Sequence, residues 1–186
     1  MAGRGSGTDP ALVAPTVKAS FSEDVADGLP PAERAPPWSI ASGTWATTSG
    51  QAVAIAGSSP ALATIAAESI PLRAQIQLPA ASAGAGLAFD VVGPTDFLAW
   101  VALPAYGNVN LVRVAGGAVT ALASSGLTAV EPGVHLGIRL EADRVELLAN
   151  GVVVAVYDGA RAGTAVGLVA LRSSAAAFDD FVVQYG

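Results

Sequence analysis

The chain has 186 residues, of which 52% are hydrophobic and 13% charged, and its formal net charge is −6. This composition is too apolar for a disordered chain, and no apolar run is long enough to span a bilayer as a helix. Its basic residues are nearly all Arg and stand singly, without the basic stripe that nucleic-acid binding needs. The absence of Cys excludes disulfides and thiolate metal sites. We therefore expect no nucleic-acid partner and no insertion into a membrane.

The N-terminal segment is rich in Gly and Pro and lacks the apolar stretch of a secretory signal. It predicts a flexible arm over residues 1–16, followed by one domain over residues 17–186. Ordering such an arm costs about 1–2 kcal/mol of backbone entropy per residue. We therefore expect a partner to order it, either another protein of the same assembly or a second copy of this chain.

Short apolar runs closed by Gly, Pro, Asn-Gly or Asp turns follow from Val17 onward, at the spacing of roughly ten residues that is typical of β-sandwiches. None of these runs has a helical period. The predicted strands are a first at 16–21, two or three between 38 and 56, and then 61–67, 73–78, 86–92, 97–103, 110–114, 118–123, 134–140, 145–149, 152–157, 165–171 and 178–185. The pattern predicts an all-β fold, a two-sheet antiparallel sandwich that carries an extended N-terminal arm.

Residues 134–157 predict two successive hairpins. Asn150-Gly151 is a strong signal for a type I′ turn, because both central positions of that turn need a positive φ. A single apolar face runs through both hairpins, which fixes the register. The expected cross-strand pairs are Ala149–Val152, Leu147–Val154, Val145–Val156, Leu140–Val145 and Ile138–Leu147. Gly116-Gly117 predicts a further hairpin.

Several short motifs follow one another in an order that occurs in a known group of β-sandwiches. In chain order they are Trp38…Gly43-Thr44-Trp45…Gly50, Gly86-Leu87-Ala88-Phe89, Phe97-Leu98-Ala99-Trp100, Leu111-Val112-Arg113 with Gly117, Asn150-Gly151, and Phe178-Asp179-Asp180-Phe181-Val182-Val183. Over about residues 17–186 the chain resembles the concanavalin A-like lectin/glucanase jelly roll, in its laminin-G-like branch. The resemblance implies two curved antiparallel sheets with ligands on the concave face or rim loops. Such domains include glycosidases, carbohydrate-binding modules and non-catalytic domains of bacterial and phage surface proteins.

Glu141, Asp143 and Glu146 match E-x-D-x-x-E, the catalytic signature of one glycosidase branch of that family. A retaining glycosidase needs two carboxylates about 5 Å apart across the glycosidic bond. In the predicted register the segment between Glu141 and Arg144 is a hairpin turn, Glu141 lies opposite Arg144, and Glu146 lies opposite Arg139. An ion pair with Arg favours the charged carboxylate, whereas a general acid must hold its proton. We therefore expect no catalytic residue and no enzymatic activity.

Trp100 and Tyr106 are the candidates for ligand contact, because sugar rings stack on exposed aromatic faces. The alternation in residues 97–103 leaves open whether Trp100 faces the core or the outside. His135, the only His, is expected on the polar face of its strand together with Arg139. A single exposed His supports neither a Ser-His-Asp arrangement nor a multi-His metal site.

Four carboxylates converge if the terminal strands pair: Glu23, Asp24, Asp179 and Asp180. Carboxylates with backbone carbonyls suit Ca²⁺, but their spacing matches no dedicated calcium loop. A structural calcium at Asp179 and Asp180 therefore stays open against the alternative that both side chains are solvated. The sequence assigns no metal ligand and no cofactor.

The function expected from these observations is that of a non-enzymatic virion structural protein, a phage minor tail or capsid-decoration subunit with affinity for host-surface glycans. Such a protein is assembled in the host cytoplasm, needs no export signal and uses arms that become ordered on assembly. Its expected location is the virion, and the alternative location is extracellular. The alternative functions are a bacterial carbohydrate-binding module and a glycoside hydrolase, because one fold hosts many functions.

Overall fold

The computed structural model describes residues 16–33, 35–55, 60–66, 71–80, 82–103, 107–125, 130–141, 143–159, 162–171 and 176–185. The predicted arm, apart from Thr16, lies outside these residues. The described residues form fifteen strands and no helix, which confirms the all-β prediction, and no helix among them crosses a membrane. The strands are β1 (Thr16–Ala19), β2 (Ser39–Ser42), β3 (Thr44–Thr48), β4 (Gln51–Ile55), β5 (Ala61–Ile65), β6 (Pro71–Leu78), β7 (Ala85–Gly93), β8 (Asp96–Leu103), β9 (Asn108–Ala115), β10 (Ala118–Ser124), β11 (Val134–Leu140), β12 (Arg144–Ala149), β13 (Val152–Asp158), β14 (Ala165–Ala170) and β15 (Ala176–Tyr185).

These strands form two antiparallel sheets. The eight-stranded sheet has the order β13-β12-β11-β6-β15-β4-β3, and β1 also pairs with β15. The seven-stranded sheet has the order β10-β9-β8-β7-β14-β5-β2. β15 pairs with β6 along one edge, and its other edge is shared by β4 and β1. The strand bounds agree with the predicted ones to within a few residues, and the region 38–56 holds three strands.

The hydrophobic core lies between the inner faces of the two sheets. Its largest fully buried side chains include Trp45, Trp100, Phe89, Phe178 and Phe181. The rings of Trp45 and Phe178 contact each other with centroids 5.6 Å apart. Each aromatic side chain of this size buries a large area and contributes strongly to the stability of a core. The two sheets are therefore held together by the apolar side chains on their inward faces, which every second residue of a strand supplies.

The outer face of the seven-stranded sheet is apolar as well. Its side chains form a second buried cluster made of Leu62, Ala88, Phe97, Ala99, Val101, Val112, Val114, Val169 and Leu171. Each of these residues is less than a tenth exposed. The part of this face that these residues form is therefore buried and offers few polar groups to a ligand, whereas β10 at its edge is exposed.

The β11–β12 hairpin has the predicted register, with the pairs Leu140–Val145 and Ile138–Leu147. Asn150 and Gly151 have φ values of 49° and 77°, as a type I′ turn between β12 and β13 requires. Gly116 and Gly117 likewise have positive φ values between β9 and β10.

The predicted register of β12 with β13 is correct next to the turn, where Ala149 pairs with Val152. A bulge follows between Leu147 and Leu148, so that the next inward pairs are Leu147–Ala155 and Val145–Tyr157. The predicted pairs Leu147–Val154 and Val145–Val156 are therefore wrong. A bulge adds one residue to a single strand and reverses which side chains face inward beyond it. As a result Val156 is exposed, while Tyr157 packs against the core.

Candidate functional site

Trp100 lies in the core between the sheets and is 0% exposed. Its indole N–H donates a hydrogen bond to the main-chain carbonyl of Leu148, 3.0 Å away across the sandwich. No face of this ring is open to a ligand, so the prediction of sugar stacking at Trp100 is wrong. Both faces of β8 are apolar and buried, and the sequence pattern therefore did not show which one faced inward. Tyr106, the other predicted contact, lies outside the described residues.

The residues of the E-x-D-x-x-E pattern lie on and beside the predicted turn. β11 ends at Leu140 and β12 begins at Arg144, and the N–H of Glu141 donates to the carbonyl of Arg144 at 2.8 Å. Glu146 lies on β12, and its carboxylate accepts a hydrogen bond from the Arg139 guanidinium at 3.0 Å. The second carboxylate oxygen of Glu146 is 3.8 Å from the Arg144 guanidinium. The predicted pairing of Glu146 with Arg139 is confirmed, and this carboxylate orients a guanidinium group.

Of the four carboxylates considered for calcium, two accept separate main-chain hydrogen bonds. β1 and β15 do pair, as expected, but the carboxylate of Asp24 accepts a hydrogen bond from the Ser49 N–H at 2.9 Å. The carboxylate of Asp179 accepts one from the Asp180 N–H at 2.8 Å. Burial raises the pKa of Asp179, the Asp180 hydrogen bond lowers it, and the charge of Asp180 raises it. Within the described part of the chain, no group of three His, Asp or Glu side chains could hold a metal ion.

The outer face of the eight-stranded sheet is the polar face of the sandwich. Here β6 turns Arg73, Gln75 and Gln77 away from the core, because Ala74, Ile76 and Leu78 are buried in it. β11 turns His135 and Arg139 to the same side, as predicted. β6 and β11 pair directly, so these side chains form one surface.

A depression in this face is centred on Gly137 of β11. We call it the Gly137 depression; its volume is about 100 Å³, and the outward-facing residues that line it are Arg73, Gln75, His135, Gly137, Arg139 and Leu148. Gly137 lies between Gln75 of β6 and Leu148 of β12 in the cross-strand row. A Cβ atom at Gly137 would lie 3.5 Å from the Leu148 Cβ, which is an ordinary contact. The hollow therefore exists because one side chain is absent.

A second hollow of about 170 Å³ adjoins the first. Its lining is Thr16, Arg73, Gln75, Val182 and Gln184, so that Arg73 and Gln75 border both hollows. Together the two hollows cross the strands β12, β11, β6, β15 and β1. Four inter-strand spacings of about 4.8 Å make this stretch roughly 19 Å long. A surface of this length can contact several units of a chain-like ligand.

The charges on this stretch are unevenly compensated. Arg73 lies directly opposite Arg139 in the β6–β11 register, and like charges in that position repel each other. Glu146 forms ion pairs with both Arg139 and Arg144 and so offsets only part of the Arg139 charge, whereas among the described residues Arg73 has no ion-pair or hydrogen-bond partner. The Nε of Arg139 is also buried without a partner in the described part of the chain. The rim of the hollows thus holds one buried guanidinium nitrogen without a partner among the described residues, and one exposed guanidinium group, that of Arg73, that a ligand can reach.

A larger hollow, of about 370 Å³, lies beside the loop that follows β1. It is lined by residues of one segment, 18–33, among them two prolines and the side chains of Lys18, Glu23 and Glu33. The Gly137 depression instead brings together side chains from three paired strands. Rigid strands hold functional groups more accurately than loops do, and the strand face is therefore the stronger candidate.

Comparisons with solved structures find the same architecture. A carbohydrate-binding module of family CBM66 from Bacillus subtilis aligns with a TM-score of 0.61 at 16% identity, over 82% of this chain and 94% of the module. The Bacillus licheniformis beta-glucanase aligns with a TM-score of 0.57 at 10% identity, over 92% of this chain and 98% of the glucanase. The fold is the concanavalin A-like jelly roll. This confirms, at the level of the fold, the resemblance inferred from the sequence motifs.

A third structure, a Bacillus subtilis protein of unknown function with a galectin-like fold, aligns with a TM-score of 0.56 at 13% identity over 80% of this chain and 89% of that protein. No protein-family model and no curated protein matches the sequence. Glucanases and binding modules both use this jelly roll, so the fold by itself assigns neither activity.

The sequence predicted that His135 and Arg139 lie on a polar face, but it marked neither them nor Arg73, Gln75 and Gly137 as ligand contacts. The alternation Arg73-x-Gln75-x-Gln77 was a usable signal for a polar strand face. Gly137 carried no signal by itself, because its role depends on which strands lie on either side of it.

Proposed function

We propose that the protein is a carbohydrate-binding domain and that its polar face, at the Gly137 depression, contacts the saccharide. The observation that carries this proposal is the gap at Gly137, lined by guanidinium, amide and imidazole groups of the paired strands β6 and β11 and closed by Leu148 of β12. Such groups donate and accept hydrogen bonds in fixed directions, as recognition of sugar hydroxyls requires. The shared fold with a carbohydrate-binding module supports the same interpretation.

The geometry favours weak binding along a chain over capture of a small molecule. Pockets that enclose a small ligand have volumes of roughly 300–1,000 Å³, well above the 100 Å³ of this hollow. No Trp, Tyr or Phe is among the described residues that line either hollow. The stabilisation that many sugar sites gain from stacking the sugar ring on an aromatic side chain is therefore missing there. We expect a Kd of about 0.1–1 mM for an oligosaccharide, which corresponds to roughly −4 to −5.5 kcal/mol.

The test is to fill the hollow without disturbing the sheet. Gly137→Val adds a side chain where a Cβ has room, in a strand position that suits a β-branched residue. Gly93→Val is the matched control, because Gly93 lies on β7 of the other sheet with nothing within 4 Å of its added Cβ. Binding is measured by isothermal titration calorimetry with the tightest oligosaccharide found by screening neutral and acidic glycans.

We expect Gly137→Val to weaken binding at least tenfold and Gly93→Val to leave the Kd unchanged, with both variants folded by circular dichroism. Equal affinity of Gly137→Val and the wild type would contradict the proposal, as would the absence of binding at millimolar glycan. The virion role and virion location expected from the sequence stay predictions. Neither the described residues nor the comparisons bear on them.

A further inference from the structure

Resting on the proposed function, we infer that the saccharide bound at the Gly137 depression is anionic, with a carboxylate or sulfate group that sits over Arg73. The fold creates this preference by placing Arg73 directly opposite Arg139 across the β6–β11 pair. Neither residue reveals the pairing in the sequence, where the Arg residues are scattered.

The two guanidinium groups differ in their ion pairs. Arg139 is bound by Glu146, whose side chain is only 21% exposed and is therefore held in place. Arg73 has no such partner among the described residues and still experiences the charge of Arg139. An anion at Arg73 relieves a repulsion as well as forming new hydrogen bonds. A neutral sugar hydroxyl would do only the second.

The groups around Arg73 suit the remaining polar parts of such a sugar. Gln75 and Gln184 border the same hollow, and their amides both donate and accept hydrogen bonds. No carboxylate is among the described residues that line either hollow. A planar guanidinium binds a carboxylate or sulfate through two parallel N–H groups, and these charge-assisted bonds are about twice as strong as neutral ones.

The net charge of −6 acts against anions at long range. At physiological ionic strength, however, charges farther away than about 8 Å are largely screened. The local pair of guanidinium groups therefore decides the preference. Because the attraction is local and partly exposed, added salt should weaken it.

The experiment compares three probes of similar ring shape. The first is a galacturonic acid trimer, which is anionic. The second is its methyl ester, which is neutral. The third is a galactose trimer that carries sulfate esters and is therefore anionic. Titrations with the wild type should show the acid trimer bound about tenfold more tightly than its methyl ester, and less tightly at 300 mM than at 50 mM salt. Comparing the carboxylated and sulfated trimers identifies which anion the site prefers.

Arg73→Gln should remove that tenfold preference, while Arg113→Gln should keep it. Arg113 is the matched control, since the same charge is removed from the seven-stranded sheet, where it pairs with Asp96 at 3.5 Å. If the wild type binds the acid trimer and its methyl ester equally well, and Gly137→Val binds neither, the anionic preference is overturned and the proposed function stands. Binding that Gly137→Val does not change would overturn both. An unchanged preference in Arg73→Gln would overturn the role of Arg73.

Discussion

The turn at Asn150-Gly151 allows the strand register beside the depression to be tested by substitution. Asn150 has a φ of 49° and its side-chain carbonyl accepts a hydrogen bond from the N–H of His135 at 2.9 Å. Asn150→Val forces a β-branched residue into a left-handed conformation at about 1–2 kcal/mol and deletes a hydrogen bond worth about 0.5–1.5 kcal/mol. We expect the free energy of unfolding to fall by about 2–3 kcal/mol in total.

Two further variants separate these contributions. Asn150→Gly tolerates the positive φ but lacks the acceptor, so it should lose only about 1 kcal/mol. Asn150→Asp keeps both features and should lie within about 0.5 kcal/mol of the wild type. Urea unfolding, followed by the fluorescence of the buried Trp100 and Trp45, measures the free energy of unfolding of all three variants. In a thermal scan the melting temperature of Asn150→Val should be roughly 4–12 °C lower than that of the wild type. Asn150→Val with wild-type stability would refute the reasoning, and so would Asn150→Gly losing as much as Asn150→Val.

Two other predictions concern the fold. Gly86→Ala should destabilise the protein by about 2–3 kcal/mol in urea titrations. The added Cβ would collide with the main-chain oxygen of Trp100 and lie 2.7 Å from the Cα of Val101. A loss of stability below about 0.5 kcal/mol would contradict this close approach of the strands. Asp179→Asn should raise the melting temperature at pH 7, because burial and, secondarily, the charge of Asp180 raise the pKa of Asp179 and make its ionised form unfavourable. The gain should shrink as the pH falls through that raised pKa and vanish below 3.8, and a gain of equal size at pH 3.5 and pH 7 would show that ionisation is not its cause.

The sequence predicted well what depends on neighbouring residues. The Asn150-Gly151 turn and the pairing of Arg139 with Glu146 both follow from one local hairpin pattern, and both are present. The bulge between β12 and β13 was missed because Val152-Val153-Val154 offers apolar residues to either register. Where both registers bury apolar side chains, alternation carries no information about which one forms.

The candidate site could not be predicted because it depends on strands that are distant in sequence. The depression forms only when β6 and β11 pair and place Gln75 beside Gly137. Trp100 was placed wrongly among the ligand contacts for a related reason. β8 is covered on both faces, so its apolar residues do not alternate with polar ones.

The most direct test of the central claim is to map saccharide contacts by ¹⁵N chemical-shift perturbation during titration with the tightest-binding oligosaccharide. We expect the largest shifts at Gln75, His135, Gly137 and Gln184, which line the two hollows of the polar face. Residues of β9 and β10 on the other sheet should remain unperturbed. Shifts confined to the seven-stranded sheet, or to the loop after β1, would contradict the claim that the polar face binds the saccharide.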